Sequence, residues 1–353
     1  MRIAIDAGPL TSGHKVRGVG FYTKSLIKAL GKNVEAIDAR TANLTKYDLI
    51  HIPYFNPFLF SFPENISNYK FAVTIHDLIP LIYPKHYSPG IRGKLNFLKQ
   101  KMILKKAKAI ITDSETSKKD IVRFLGIKQD KIHVVRLAAG KNFKKISSTS
   151  ILYSIEVKYK LPKEFVLYVG DINYNKNIPN LIKACKIAKI TLVIVGKQAL
   201  DIEELGQDLK ILKGPRDWMR YILGRPHPEL AHYNQLVKEF KSNKNIIRLG
   251  FISDDDLVAI YNLATVYCQP SFYEGFGLPV LEAIACGVPV VAAKTQALVE
   301  LAEGAAVFVN PNDPEDIARG FKKRIENPKL PREYSWEKTA KETLEVYRKC
   351  LKK

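Results

Sequence analysis

Cysteine is scarce and scattered. The four, Cys185, Cys268, Cys286 and Cys350, have neither C-x-x-C spacing nor histidines at metal-ligand intervals, which argues against a disulfide framework and against a zinc site. Cys268 and Cys286 lie in apolar stretches and read as small core residues. Long hydrophobic runs are missing too. Nothing approaches the roughly 20 apolar residues that cross a bilayer, and Met1 to Leu10 opens on a strand pattern instead of a signal peptide. A cytoplasmic protein is therefore expected. Acid is in deficit, with 35 Asp and Glu against 56 Lys and Arg and a net charge of +21. That balance suits an anionic partner. No nucleic-acid-binding module and no basic groove with stacking aromatics is visible, so nucleic acid is not the expected one.

What is present fills two cores. At 353 residues the chain exceeds the length at which single cores stop growing, about 250 to 300 residues, and 46% hydrophobic content rules out general disorder. Short apolar strands alternate with helical patterns, the signature of parallel sheets covered by helices on both faces. A first block is predicted with strands at residues 2–6, 49–52, 71–75, 110–113 and 132–135. A glycine loop leads into a helix over 18–31, and Ser114 caps a helix over 117–125. The polar run Ser147-Ser148-Thr149-Ser150 suits a connection. A second block restarts with strands at 165–169, 191–195, 246–249, 266–269 and 289–292, and helices at 178–188, 254–263 and 279–285. Residues 200–243 read as helix plus long loops, and 335–351 as an amphipathic helix. The expectation is an α/β fold of two doubly wound, Rossmann-like domains, 1–150 and 151–334, with a C-terminal helix over 335–353. Ligands of such sheets lie beyond the carboxyl ends of the strands, so two facing domains would form a cleft.

The positive charge clusters. Lys85, Arg92, Lys94, Lys99, Lys101, Lys105, Lys106 and Lys108 fall in a stretch without acid, interleaved with Ile91, Leu95, Phe97, Leu98, Met102, Ile103 and Leu104. A basic amphipathic helix touching an anionic membrane through 85–108 fits this pattern, as does an ordinary solvated helix face.

The densest chemical signal is S-F-Y-E-G-F-G-L-P-V-L-E-A-I-A-C-G, Ser271 to Gly287. It leaves a strand, passes a glycine-rich turn and enters a helix with Pro279 at its start, where a missing N–H costs nothing. Amides at such a helix start suit a phosphate or diphosphate, here those of Gly275, Phe276, Gly277 and Leu278. Glu274 in the loop and Glu282 about one turn into the helix would reach different hydroxyl-bearing parts of one ligand. That division suits a sugar nucleotide. Asp254-Asp255-Asp256 reads as a helix cap and first turn, not as an acidic metal motif.

Glu274 and Glu282, seven residues apart in this stretch, resemble the E-x7-E signature of the retaining family 4 glycosyltransferases, which have the GT-B fold. The likeness covers most of the chain. Y-V-G-D-I-N-Y-N-K-N, Tyr168 to Asn177, is similar to the family's donor-phosphate loop, with Lys176 where the family places a lysine on the diphosphate. Asp171 departs from the pattern, since many members carry arginine there. Arg17-Gly18-Val19-Gly20 resembles the family's glycine loop, which implies donor contact at Gly18 and Gly20, and His76 in T-I-H-D-L resembles its catalytic histidine near acceptor and sugar. Thr74 to Leu78 also resembles mannose-transferring members, implying mannose from GDP-mannose. Tyr334-Ser335-Trp336 is similar to the segment that crosses back to brace the first domain. The resemblance implies a retaining hexosyltransferase acting on a glycan or lipid-linked acceptor at the inner membrane face. Glu274 would be catalytic and hold the sugar hydroxyls, Glu282 the ribose, and neither metal nor cofactor would be required. A sugar-nucleotide epimerase or a phosphorylase of the same architecture is the alternative.

Overall fold

The computed structural model describes residues 2–11, 18–212, 214–224 and 227–352. Apolar runs such as Ile-Ala-Ile, Phe-Ala-Val and Thr-Leu-Val-Ile-Val have no polar alternation, as suits the parallel strands that they form, which are buried on both faces. Twelve strands result among the described residues. β1 (Ile3–Asp6), β2 (Glu35–Ile37), β3 (Leu49–Ile52), β4 (Phe71–Thr74), β5 (Ala109–Thr112) and β6 (Ile132–Val134) pair in parallel in the order β2-β1-β3-β4-β5-β6. A second parallel sheet contains β7 (Phe165–Val169), β8 (Thr191–Val195), β9 (Ile246–Leu249), β10 (Val266–Gln269), β11 (Val290–Ala293) and β12 (Val307–Val309). Its order is β12-β11-β10-β7-β8-β9. The fold class is the expected one, α/β with two doubly wound sheets. β2 and β12, both three-residue edge strands, escape the sequence reading, although β6, an edge strand of the same length, is among the expected ones.

The chain divides into two units. The first holds residues 1–82, 89–138 and 334–353, the second 83–88 and 139–333. The division therefore falls after Ala138 and not at residue 150. Phe143 packs its ring on Tyr261 at 5.8 Å, and Asn262 ties Ile146 N and Lys144 O, which commits this stretch to unit 2. The polar run expected as a connection instead starts a helix, Thr149–Tyr159, with Ser148 as its N-cap. Residues 83–88 also pack in unit 2, where His86 stacks on Tyr174 and the Tyr87 hydroxyl donates to Asn175.

In unit 1 the helix Trp336–Lys352 is held by Tyr347 on His51 and by the Thr339 hydroxyl on the Arg136 carbonyl. Ser114 caps the helix Glu115–Asp120 as expected, and a π-turn over Ile121–Leu125 completes it. Residues 200–243 contain the helices Pro215–Ile222 and Pro228–Ser242. No helix of the described residues is long and apolar enough to cross a membrane.

Candidate active site

In unit 2 the strand order reverses between β7 and β10, the kind of point at which doubly wound sheets bind ligands. Loops leaving these neighbours are stitched together. Phe272 N donates to the Asn175 carbonyl, Asn175 Nδ2 reaches the Tyr273 carbonyl, and Asn177 Nδ2 bridges the carbonyls of Pro270 and Pro311. Asn177 takes a left-handed backbone at φ 58, which asparagine tolerates. A rigid double loop carries Lys176 from one strand and Glu274 from the other.

Three donors converge on that buried carboxylate. Lys176 Nζ donates to Glu274 Oε1 and Oε2 at 2.8 and 2.9 Å, and Gln269 Nε2 and Ser271 Oγ each reach Oε1 at 2.6 Å. Tyr267 in turn donates its hydroxyl to Gln269 Oε1. Burial, with the nearby Tyr168 and Glu274, pushes the Tyr267 phenol well above its ordinary range, so it acts as a donor. The resemblance implied that Lys176 and Glu274 address different parts of a ligand; they form one ion pair. Ser271 and Asn175 lie in the stretches singled out from the sequence but were given no role there, and Gln269 was missed, although a glutamine closing the apolar strand Val-Tyr-Cys-Gln is a signal.

The helix that follows is Leu278–Ala285, with Pro279 in its first positions and Gly277 as the residue before it. Gly277 has φ +109, and a Cβ there would lie 2.6 Å from Leu298 Cδ2. Only glycine fits. Gly275 and Phe276 are buried and Leu278 half-buried. Glu282 is buried in the next turn and accepts from the Tyr261 hydroxyl at 3.0 Å. Burial raises its carboxyl to about 7, with Tyr261 opposing and Asp254 adding to the rise. Asp171, in the neighbouring loop, accepts the Tyr168 hydroxyl on its carbonyl.

Unit 1 presents His76 just beyond the carboxyl end of β4. Its Nδ1 lies 2.6 Å from Asp113 Oδ2, which follows β5 on the neighbouring strand. Burial works against a charge on this ring, but the Asp113 carboxylate, Asp77 and the Pro53 carbonyl outweigh it and raise the pKa above the ordinary value. Among the described residues, His76 Nε2 and Asp113 Oδ1 are buried and meet no partner at full hydrogen-bond geometry.

Tyr22 packs edge-on against the His76 ring at 4.6 Å and begins a buried relay. Its hydroxyl lies 2.9 Å from Thr74 Oγ1, which lies 2.7 Å from His51 Nε2, whose Nδ1 meets the Tyr347 hydroxyl at 2.6 Å. Burial, reinforced by His76, lowers His51 to about 3, so it is neutral. Asp113 was missed because nothing local in Thr-Asp-Ser tells a strand-end acid from a helix-start residue.

Arg17 lies outside the described residues. Gly18 and Gly20 lie in the first turn of the helix Gly18–Leu30, not in a loop before it. A Cβ at Gly18 would meet nothing within 4 Å among the described residues.

Comparison with known families matches residues 154–343 to the model described as glycosyl transferases group 1 and residues 6–138 to Glycosyltransferase Family 4. The chain belongs to the group 1 glycosyltransferases. Among relatives of these glycosyltransferases, the serotype-specific mannosyltransferase WbdA of Escherichia coli is 27% identical over 335 residues, 90% of this chain and 38% of that protein. The O-antigen chain mannosyltransferase B of Escherichia coli is 28% identical over 291 residues, 78% of this chain and 70% of the relative. The chain thus spans well under half of the WbdA length. A sucrose-phosphate synthase from Thermosynechococcus elongatus superposes with a TM-score of 0.63 at 18% identity, covering 100% of this chain and 97% of its own. Anabaena Alr3699/HepE in complex with UDP and glucose gives 0.59 at 16% identity, covering 99% and 95%. Both show the shared GT-B type fold.

Proposed function

We propose that this glycosyltransferase moves a hexose, mannose first among candidates, from a nucleoside diphosphate donor to a glycan or lipid-linked acceptor, with retention at the anomeric carbon. The observation that carries the reading is the Glu274 carboxylate, held by Lys176, Gln269 and Ser271 at the strand-order reversal of unit 2. Two mannosyltransferases among its relatives favour mannose. Unit 2 takes the donor and unit 1 the acceptor, with His76 on the acceptor side. The donor's glycosidic C–O bond breaks with its electron pair leaving on the diphosphate, and the acceptor hydroxyl oxygen forms the new C–O bond and passes its proton to the departing diphosphate. Chain groups stabilise that departure: Lys176 supplies positive charge and the amides at the start of the Leu278–Ala285 helix supply dipoles. No metal is needed for this step. Lys176, Gln269 and Ser271 all reach Glu274 Oε1, whereas only Lys176 of the three reaches Oε2, so Oε2 is the oxygen that accepts from sugar hydroxyls. Glu282 takes the ribose. The site of action is the cytoplasmic face of an anionic membrane, contacted through 85–108.

A panel of radiolabelled sugar nucleotides, offered with and without EDTA, tests the proposal. Transfer or slow donor hydrolysis with GDP-mannose, unaffected by EDTA, is expected. Epimerised donor without acceptor, or no turnover with any donor, sinks it. Glu274→Ala should lower kcat by about 10² to 10³, and Lys176→Ala should raise the KM for donor as well as lowering kcat.

A further inference from the structure

The helix Gly90–Lys106 has two differently built sides. Leu104, Gly93 and Gln100 are buried, and Phe97 and Ile103 pack against the core of unit 1. Gln100 locks that side in place: its side-chain amide donates to the carbonyls of Asn56 and Pro57 and accepts from Ser61 N. The helix therefore has no freedom to roll. Its other side carries Ile91, Leu95, Leu98 and Met102, exposed by 79, 58, 57 and 63%. At about 100° per residue these four fall within an arc of about 60°. Lys94 and Lys105 border the arc on one side, Arg92, Lys99 and Lys106 on the other, all exposed. Lys101 is drawn away to the Phe124 carbonyl at 2.9 Å. No acid occurs between residues 85 and 108.

A solvated helix face has no use for four large apolar side chains in line. Self-pairing of two such stripes would set cations against cations, which a symmetric interface penalises. We propose that this helix lies flat on an anionic lipid bilayer, with Ile91, Leu95, Leu98 and Met102 inserted at the acyl-chain boundary and the two flanking rows of cations seated on headgroup phosphates. An apolar stripe of this width with lysine and arginine at both borders is the pattern of an interfacial helix. The inference deepens the membrane contact proposed for 85–108 and is independent of the donor chemistry.

Co-sedimentation of the full chain with extruded vesicles tests it without any sugar nucleotide present. Binding to phosphatidylcholine vesicles containing phosphatidylglycerol is expected, and little to phosphatidylcholine alone. Part of the binding should survive about 1 M salt, where the Debye length falls to about 3 Å. The combined variant Ile91→Gln, Leu95→Gln, Leu98→Gln, Met102→Gln should bind at least about tenfold more weakly and lose the salt-resistant part, with an unchanged circular dichroism spectrum. The combined variant Arg92→Gln, Lys94→Gln, Lys99→Gln, Lys105→Gln, Lys106→Gln should lose the preference for phosphatidylglycerol. Wild-type binding absent from both vesicles, or undiminished in the apolar variant, overturns the proposal. So does a concentration-dependent dimer that the apolar variant abolishes while vesicle binding persists.

Discussion

At the residue scale, two buried ionisable groups both favour low pH, over different windows and for different reasons. The pKa of His76 is raised by Asp113 against the pull of burial, so its pair contributes stability in full below the ordinary value of 6.5 and loses it as pH rises through the folded value. Replacing Asp113 by Asn removes the charge and leaves burial in control. An NMR titration of the His76 ring should then move from a midpoint above 6.5 to one below it, while the conservative Asp113→Glu keeps a raised midpoint. A merely structural Asp113 would leave the midpoint where it was. Glu282 acts in the same direction, with burial as the cause. Its carboxyl, raised from 4.5 to about 7, binds protons more tightly in the folded chain, so stability falls as pH rises from 4.5 to 7 and levels off beyond. The swing is on the order of 3 kcal/mol. Glu282→Gln should flatten that pH dependence in urea unfolding, and an unchanged slope would show that the carboxyl is not buried as described. Glu282 was visible in the sequence from its spacing to Glu274. Asp113 was not, because its partner is 37 residues away on another strand.

At the element scale, the loop-to-helix turn at Gly277 is set by backbone geometry. A residue with a Cβ would have to adopt φ +109 and displace Leu298 at once. Gly277→Ala should therefore destabilise by more than the roughly 1 kcal/mol of ordinary left-handed strain and should lower donor affinity with it. A thermal shift within error of wild type would refute this. Sequence patterning caught this element because Gly-Leu-Pro announces a helix start. It missed the edge strands β2 and β12, and it put Gly18 in a loop although the helix begins there.

At the scale of the whole molecule, the chain's ends and crossings decide what belongs together. The last twenty residues complete unit 1, since Tyr347 satisfies His51, and the relay continues through Thr74 to Tyr22 beside His76. Tyr347→Phe leaves a buried imidazole nitrogen unpaired and should cost about 1 to 3 kcal/mol. Hydrogen exchange should quicken at β3 and β4 while β7 and β8 keep their protection; equal acceleration in both sheets would contradict the assignment of this helix to unit 1. The sequence by itself determined the α/β class, most strand positions and the Glu274 and Glu282 loop, because these follow from apolar periodicity and local turn chemistry. Tertiary structure alone decided the division at Ala138, the passage of 83–88 into unit 2, the Lys176–Glu274 ion pair and the His76–Asp113 dyad. Those depend on which strands become neighbours, and parallel pairing joins segments too far apart in the chain for any local pattern to record.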